Sequence, residues 1–244
     1  MLRRIERNWK DPDTQKAQKQ YFKVHLNYHS EEGNSEGEWY GKGAEIMELE
    51  GEVTEKQYDS LAKNRHHKTG EKLKSRDLKT ARLNEEMVIA PPKSVSVAWG
   101  LLGDERIKDA HVEAVKTMLA YMEKDVQARR RAGLDKDADL NEYTGNLLAS
   151  IFHHDTARAV GDQHEDMFLH SHILLWNYTQ DTAGKWKAAQ LGNILSSLQY
   201  YEAVYHSTIA HHLQKLGYTI ERKGKKWELK GFSKELLEKF SKRS

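Results

Sequence analysis

At 244 residues, with 38% hydrophobic and 31% charged side chains, the chain can bury one large core or two small ones and is polar overall. It has no cysteine, which excludes disulfides, thiolate metal sites and a cysteine nucleophile. No apolar run reaches the length of a membrane span and the N-terminus lacks the apolar stretch of a secretory signal, so no membrane insertion is expected and the cytoplasm is the default compartment.

The formal net charge of +2 hides a local asymmetry. Between Lys63 and Arg82 lie Lys63, Arg65, Lys68, Lys72, Lys74, Arg76, Lys79 and Arg82, against only Glu71 and Asp77. Such a run is either a solvated face or a contact for a phosphate backbone.

In chain order, residues 14–29 predict a polar helix or helix-loop. Tyr21 and Tyr28, seven residues apart, would share one face of a continuous helix. Glycines around 33–37 break the pattern. Trp39-Tyr40-Gly41-Lys42-Gly43-Ala44 lacks the spacing and the Ser/Thr of a phosphate-binding loop, so no nucleotide site is expected there. Thr54–Lys63 predicts a short helix with Thr54 as its N-cap.

Glu86–Ala90 predicts a strand ending at Pro91-Pro92, with Val95–Leu101 continuing extended. Asp104 then opens the clearest helix, with apolar positions Ile107, Val112, Val115, Met118, Leu119, Met122 and Val126 and a stop at Gly133. Leu147–His154 and Leu169–Leu175 are apolar, histidine-bearing strands joined by a polar connection. A hairpin follows around Asp181–Gly184. A second long helix is expected over about Asn193–Leu216, ended by Gly217. Tyr218–Ile220 and Lys226–Leu229 form another hairpin around Gly224, with a basic tip. The sum is an α+β chain with mainly antiparallel strands, two substantial helices and no repeat.

The chemistry lies in Leu169-His170-Ser171-His172. Alternation along a strand points His170 and His172 the same way, and Ser171, Ile173 and Leu175 the other. A third imidazole from the neighbouring Leu147–His154 strand would complete a metal site with open positions. His153 should face the opposite side and is left out. His111, His211 and His212 sit in helices as packing or surface residues, and Trp39, Trp99, Trp186 and Trp227 read more readily as core than as base-stacking platforms.

These pieces, in this order, resemble the MobF family of conjugative relaxases. The matching landmarks are the N-terminal tyrosines, Trp39–Ala44, Pro92-Lys93-Ser94-Val95-Ser96, Ala110-His111, Thr144-Gly145-Asn146, His154-Asp155-Thr156-Ala157-Arg158, Leu169–His172, Gly184-Lys185-Trp186 and Leu213–Tyr218. The resemblance implies an HUH endonuclease fold, a central antiparallel sheet of about five strands flanked by helices as a two- or three-layer sandwich. It implies nicking and strand transfer at a plasmid origin of transfer through a covalent 5′-phosphotyrosyl intermediate. Tyr21 matches the nucleophile and Tyr28 the second tyrosine position; Phe22 and His29 stand where family members often carry a second tyrosine.

The implied metal ligands are His154, His170 and His172, holding a divalent ion, Mg²⁺ or Mn²⁺ or another transition metal. Glu86 stands where the family usually has aspartate, as a base or as a hydrogen-bond partner of a ligand histidine. Arg158 would grip the scissile phosphate. Lys42, Arg76, Lys93, Arg222 and Lys225 are the DNA-contact candidates. The loop from Arg158 to His170 is longer than usual and adds Asp162, His164, Glu165 and Asp166 as candidates.

The implied partners are origin-of-transfer DNA, with its single-stranded nic region and an adjacent hairpin, and relaxosome accessory and coupling proteins. Residues 1–244 would form a single relaxase domain, with 218–244 as a DNA-contacting hairpin and tail and any helicase lying beyond. Three other readings compete. A rolling-circle replication initiator would place its tyrosine after the histidine pair. A phosphodiesterase using water would form no adduct. A non-catalytic DNA-binding module would bind without metal.

Overall fold

The computed structural model describes residues 1–5, 13, 16, 37–75, 82–130, 141–157, 166–224 and 226–241. The helix expected over residues 14–29, with Tyr21 and Tyr28, lies outside them apart from Lys16.

The elements in order are β1 (Arg3–Ile5), β2 (Glu38–Tyr40), α1 (Lys42–Ile46), α2 (Glu55–Ala62), β3 (Asn84–Ile89), α3 (Lys93–Leu102) and α4 (Glu105–Lys124). There follow β4 (Gln127–Arg129), β5 (Asn141–Tyr143), β6 (Ala149–Thr156), β7 (Met167–Trp176), β8 (Thr179–Gln180), β9 (Trp186–Lys187) and β10 (Ala189–Gln190). The chain closes with α5 (Gly192–Ser196), α6 (Leu198–Lys215), β11 (Ile220–Lys223), β12 (Lys226–Leu229) and α7 (Lys234–Lys239). No helix among the described residues is long and apolar enough to cross a membrane.

A five-stranded antiparallel sheet in the order β1-β3-β7-β6-β2 forms the centre. Its middle strand β7 is apolar on both faces because both are covered. On one side Met87, Ile89, Ile151, Leu169, Ile173 and Leu175 pack against Val115, Met118 and Met122 of α4 and Tyr205, Ile209 and Leu213 of α6. On the other, Leu148, Phe152, Leu174 and Trp176 meet Met47, Tyr58, Leu61 and Tyr178. This makes three layers, with the expected alternation along β7 intact.

Helix α2 begins as its sequence indicates. Thr54 accepts from the Gln57 backbone N–H and Gln57 reaches back to the Thr54 N–H at 3.0 Å, a complete capping box. Thr54→Ala should cost about 0.5–2 kcal/mol. A drop in the denaturation midpoint at unchanged m-value would register it.

The glycines of Trp39–Ala44 serve a close approach to the chain preceding β6. A Cβ on Gly41, whose φ is +96°, would lie 2.3 Å from the Leu147 carbonyl oxygen, and the Gly43 N–H donates to that same oxygen at 2.8 Å. The segment carries β2 into α1 beside the sheet.

Three expectations need correction. Val95–Leu101 is not extended but helical, within α3. The Ser-Val alternation imitates a half-buried strand, yet Ser94, Val95, Ser96 and Val97 are all equally buried. The serines are satisfied because Ser94 Oγ accepts the Leu229 N–H at 2.8 Å and Ser96 Oγ accepts the Leu169 N–H at 3.1 Å.

Helix α4 stops at Lys124, short of Gly133, and Val126 lies beyond it. Residues 127–129 exchange helix for ladder bonds to β5 on one side and β10 on the other. The second long helix is interrupted at Ser197 (φ −110°, ψ 19°), which separates α5 from α6.

Candidate functional site

Strands β6 and β7 pair with His154 opposite His170 and Phe152 opposite His172. The three imidazoles of His154, His170 and His172 therefore project from one face at one end of the sheet. Their rings lie 4.8, 4.9 and 5.2 Å apart between centroids, and one nitrogen from each falls within 4.8 Å of the others. A register irregularity between His154 and Thr156 bends β6 just past the cluster, a common device for re-aiming side chains at a site.

Two ring orientations are set from behind. His170 Nδ1 lies 2.9 Å from the Phe168 carbonyl oxygen, which can only accept, so Nδ1 carries the proton and Nε2 offers its lone pair. His172 Nδ1 lies 3.0 Å from Glu86 Oε1 and donates to it, which again puts the lone pair on Nε2. Glu86 comes from β3, beside β7, and its side chain is fully buried while that of His172 is 15% exposed. Imidazoles whose Nδ1 is held by an oxygen acceptor and whose Nε2 is presented to the cluster fit a divalent transition-metal ion.

Phe168 stacks on His170 at 4.6 Å with the rings 25° apart, and the Lys93 ammonium stands 5.8 Å from the Phe168 ring centroid. Lys93 also donates to the Met167 carbonyl at 3.0 Å, and burial pushes its ammonium below the usual lysine range. It is thus beside the histidine cluster. Lys42 is not: it begins α1, next to the strand end where Tyr40 pairs with Ala149, and its backbone N–H donates to Glu123 at 2.7 Å.

Arg222 is exposed on the β11–β12 hairpin, which docks on α3 through Glu228 and Leu229 at Ser94. Tyr21, Tyr28, Arg76, Arg158 and Lys225 lie outside the described residues, as do Asp162, His164 and Glu165.

The basic run between 63 and 82 is partly spent within the protein. Lys68 pairs with Glu48, and the Lys74 ammonium lies 4.1 Å from the Tyr178 ring centroid. Arg82 bridges Glu85 at 2.7 Å. Trp39 is buried, as expected, with its ring tilted 41° to that of the buried Trp176 at 6.1 Å between centroids. Residues 111, 153 and 171 carry a second polar cluster behind the triad. His153 adjoins His154 in the sequence, whereas His111, from α4, is brought to Ser171 only by the fold.

The relaxase family model TrwC matches residues 14–244. The chain belongs to the TrwC relaxase family. The multifunctional conjugation protein TraI of Escherichia coli is 32% identical over 236 residues, covering 89% of this chain. TraI of the K12 strain is 30% identical over the same length. The chain spans 13% of the length of these relatives.

Among solved structures, the metal-bound conjugative relaxase TrwC in complex with oriT DNA superposes with a TM-score of 0.83 at 29% identity, covering all of this chain and 80% of that one. A copper-bound TrwC–oriT complex gives 0.84 at 30% identity with the same coverage. TrwC with a 27-mer comprising the recognition hairpin and the cleavage site gives 0.79 at 30%, covering all of this chain and 79% of that one. The α+β architecture with its five-stranded antiparallel sheet is the fold of this family.

Proposed function

We propose that this chain nicks one DNA strand at a plasmid origin of transfer and holds the 5′ end as a phosphotyrosine until strand transfer. The observation that carries the reading is the convergence of His154, His170 and His172 in a fold that TrwC uses in complex with oriT DNA. The reading treats residues 1–244 as one relaxase domain acting in the cytoplasm, with the 218–244 hairpin and tail reaching toward DNA. Accessory and coupling proteins of the transfer apparatus are its further partners.

His154, His170 and His172 would hold a divalent ion such as Mg²⁺ or Mn²⁺, which would supply the positive charge that an anionic phosphodiester needs for in-line attack. The protein's own groups do the rest. Glu86 and the Phe168 carbonyl hold His172 and His170 in the tautomers that present Nε2. Tyr21 supplies the attacking phenol. Its aryl oxide is a better leaving group than an alkoxide, so the phosphotyrosyl bond is poised for resealing by a 3′ hydroxyl. Arg158 would draw the phosphate in through paired N–H donors.

The placement of Glu86 against His172 favours an orienting role over that of a base. Glu86→Gln should therefore weaken Mn²⁺ binding by about 10–100-fold, with cleavage recovering at high metal. Isothermal titration beside cleavage rates reads both. A far larger loss of rate with Mn²⁺ affinity intact would instead make Glu86 the base.

The function itself is tested with a single-stranded DNA library carrying a hairpin followed by a randomised 3′ segment. With Mn²⁺ present, a denaturant-stable protein–DNA adduct enriched in one sequence is expected. Its absence across the library, with cleavage by water in its place, would overturn the strand-transfer reading.

A further inference from the structure

The geometry points to a buried chain of side chains, Tyr205–His111–Ser171–His153–Glu38, as a positioning device that fastens the histidine-bearing strands to the helical layer and so sets the aim of the metal triad. The inference rests on the metal-centre reading above. Tyr205 Oη lies 2.6 Å from His111 Nδ1, and His111 Nε2 lies 2.8 Å from Ser171 Oγ. Ser171 Oγ lies 2.7 Å from His153 Nδ1, and His153 Nε2 lies 3.2 Å from Glu38 Oε1. Lys116 closes the far end at 2.9 Å from Glu38.

His153 and Ser171 face each other across β6 and β7, one rung from the His154–His170 pair and one from Phe152–His172. Each proposed ligand thus has a chain neighbour in this network, on the opposite face of the sheet. His111 comes from α4 and Tyr205 from α6, so the rung is tied to α4 directly and to α6 through His111.

The donors and acceptors admit one direction. Glu38 can only accept, so His153 carries its proton on Nε2 and accepts at Nδ1 from the Ser171 hydroxyl. Ser171 Oγ then accepts from His111 Nε2–H, and His111 Nδ1 accepts from the Tyr205 hydroxyl. Reversing the chain would leave the fully buried Tyr205 hydroxyl with no acceptor among the described residues. The electrostatics agree. Burial pushes His111 well below the usual histidine range and Tyr205 well above the usual phenol range, so both are neutral. Burial works to raise Glu38, yet its bonds to His153 and Lys116 more than offset this and hold it ionised. Bonds aligned head to tail strengthen one another.

The experiment has two readouts, neither of them cleavage. Long-range ¹H–¹⁵N spectra of the metal-free chain at pH 7.5 should show His111 neutral and protonated on Nε2, the nitrogen facing Ser171 Oγ. Mn²⁺ titration below the onset of unfolding should give a Ser171→Ala dissociation constant raised about tenfold, on the scale of lost supporting bonds around a metal site. Tyr205→Phe, which cuts only the end of the chain, should stay within about threefold of wild type. A purely structural role would lower the melting temperature of Ser171→Ala and leave its Mn²⁺ affinity unchanged. That result, or His111 protonated on Nδ1, overturns the proposal. If Ser171→Ala does not fold, the wild-type His111 tautomer decides. A wild-type chain that binds no Mn²⁺ would overturn the metal centre itself, and the positioning role with it.

Discussion

Tyr21→Phe should eliminate the covalent protein–DNA adduct while leaving folding and single-strand affinity unchanged. The substitution removes one oxygen and keeps the ring, so the loss is chemical; removal of a nucleophile costs at least about a thousandfold. With Phe22 beside it and His29 beside Tyr28, neither position has an adjacent phenol to substitute. Tyr40, the neighbouring candidate in sequence order, is poorly suited. Its hydroxyl donates to the Lys116 carbonyl at 2.9 Å, and burial together with nearby carboxylates pushes it up to about 12. Tyr28→Phe should leave first-round cleavage largely intact and weaken only a second transfer. Gel analysis of denatured complexes, paired with fluorescence anisotropy for binding, checks all three statements.

The second large effect is at the triad. His170→Ala or His172→Ala should abolish nicking, by at least about 10²–10³-fold, because losing a pre-aimed electrostatic partner of the transition state costs on that scale. DNA affinity should fall little, since most affinity comes from phosphate and base contacts elsewhere on the surface. Chelation should reproduce the effect in wild type, with recovery on adding Mn²⁺, whereas neither variant should recover. Full cleavage by either variant in chelator would remove the site from the mechanism.

Much of this was legible in the sequence, and the reasons are local. A period-two pattern places His170 and His172 on one face, and β7 follows it from Leu169 to Leu175. The apolar stripe of α4 holds at Ile107, Val115, Met118, Leu119 and Met122, while Val112 is only half-buried; the helix opens at Asp104 and Thr54 is the N-cap of α2, as expected. What escaped depends on contacts distant along the chain. Ser94 and Ser96 read as a strand's polar face until the N–H groups of Leu229 and Leu169 arrive to satisfy them. Val126 belongs to the apolar stripe but not to the helix, because its neighbours find ladder partners in β5 and β10. The basic run between 63 and 82 leaves a solvated face and a phosphate contact both open in the sequence; in the fold Glu48 lies beside Lys68 and the Tyr178 ring beside Lys74. His111 and His153 are unremarkable singly; they gain meaning when β6, β7 and α4 bring both within reach of one serine hydroxyl.

The measurement closest to the central claim is peptide mapping of the adduct by mass spectrometry. The chain is incubated with the enriched single-stranded DNA and Mn²⁺, digested with nuclease and protease, and searched for a phosphonucleotide-bearing peptide. The account predicts the modification on Tyr21, absent in chelator and in His172→Ala. A nucleotide on Tyr28 or Tyr40 with Tyr21 unmodified would contradict it.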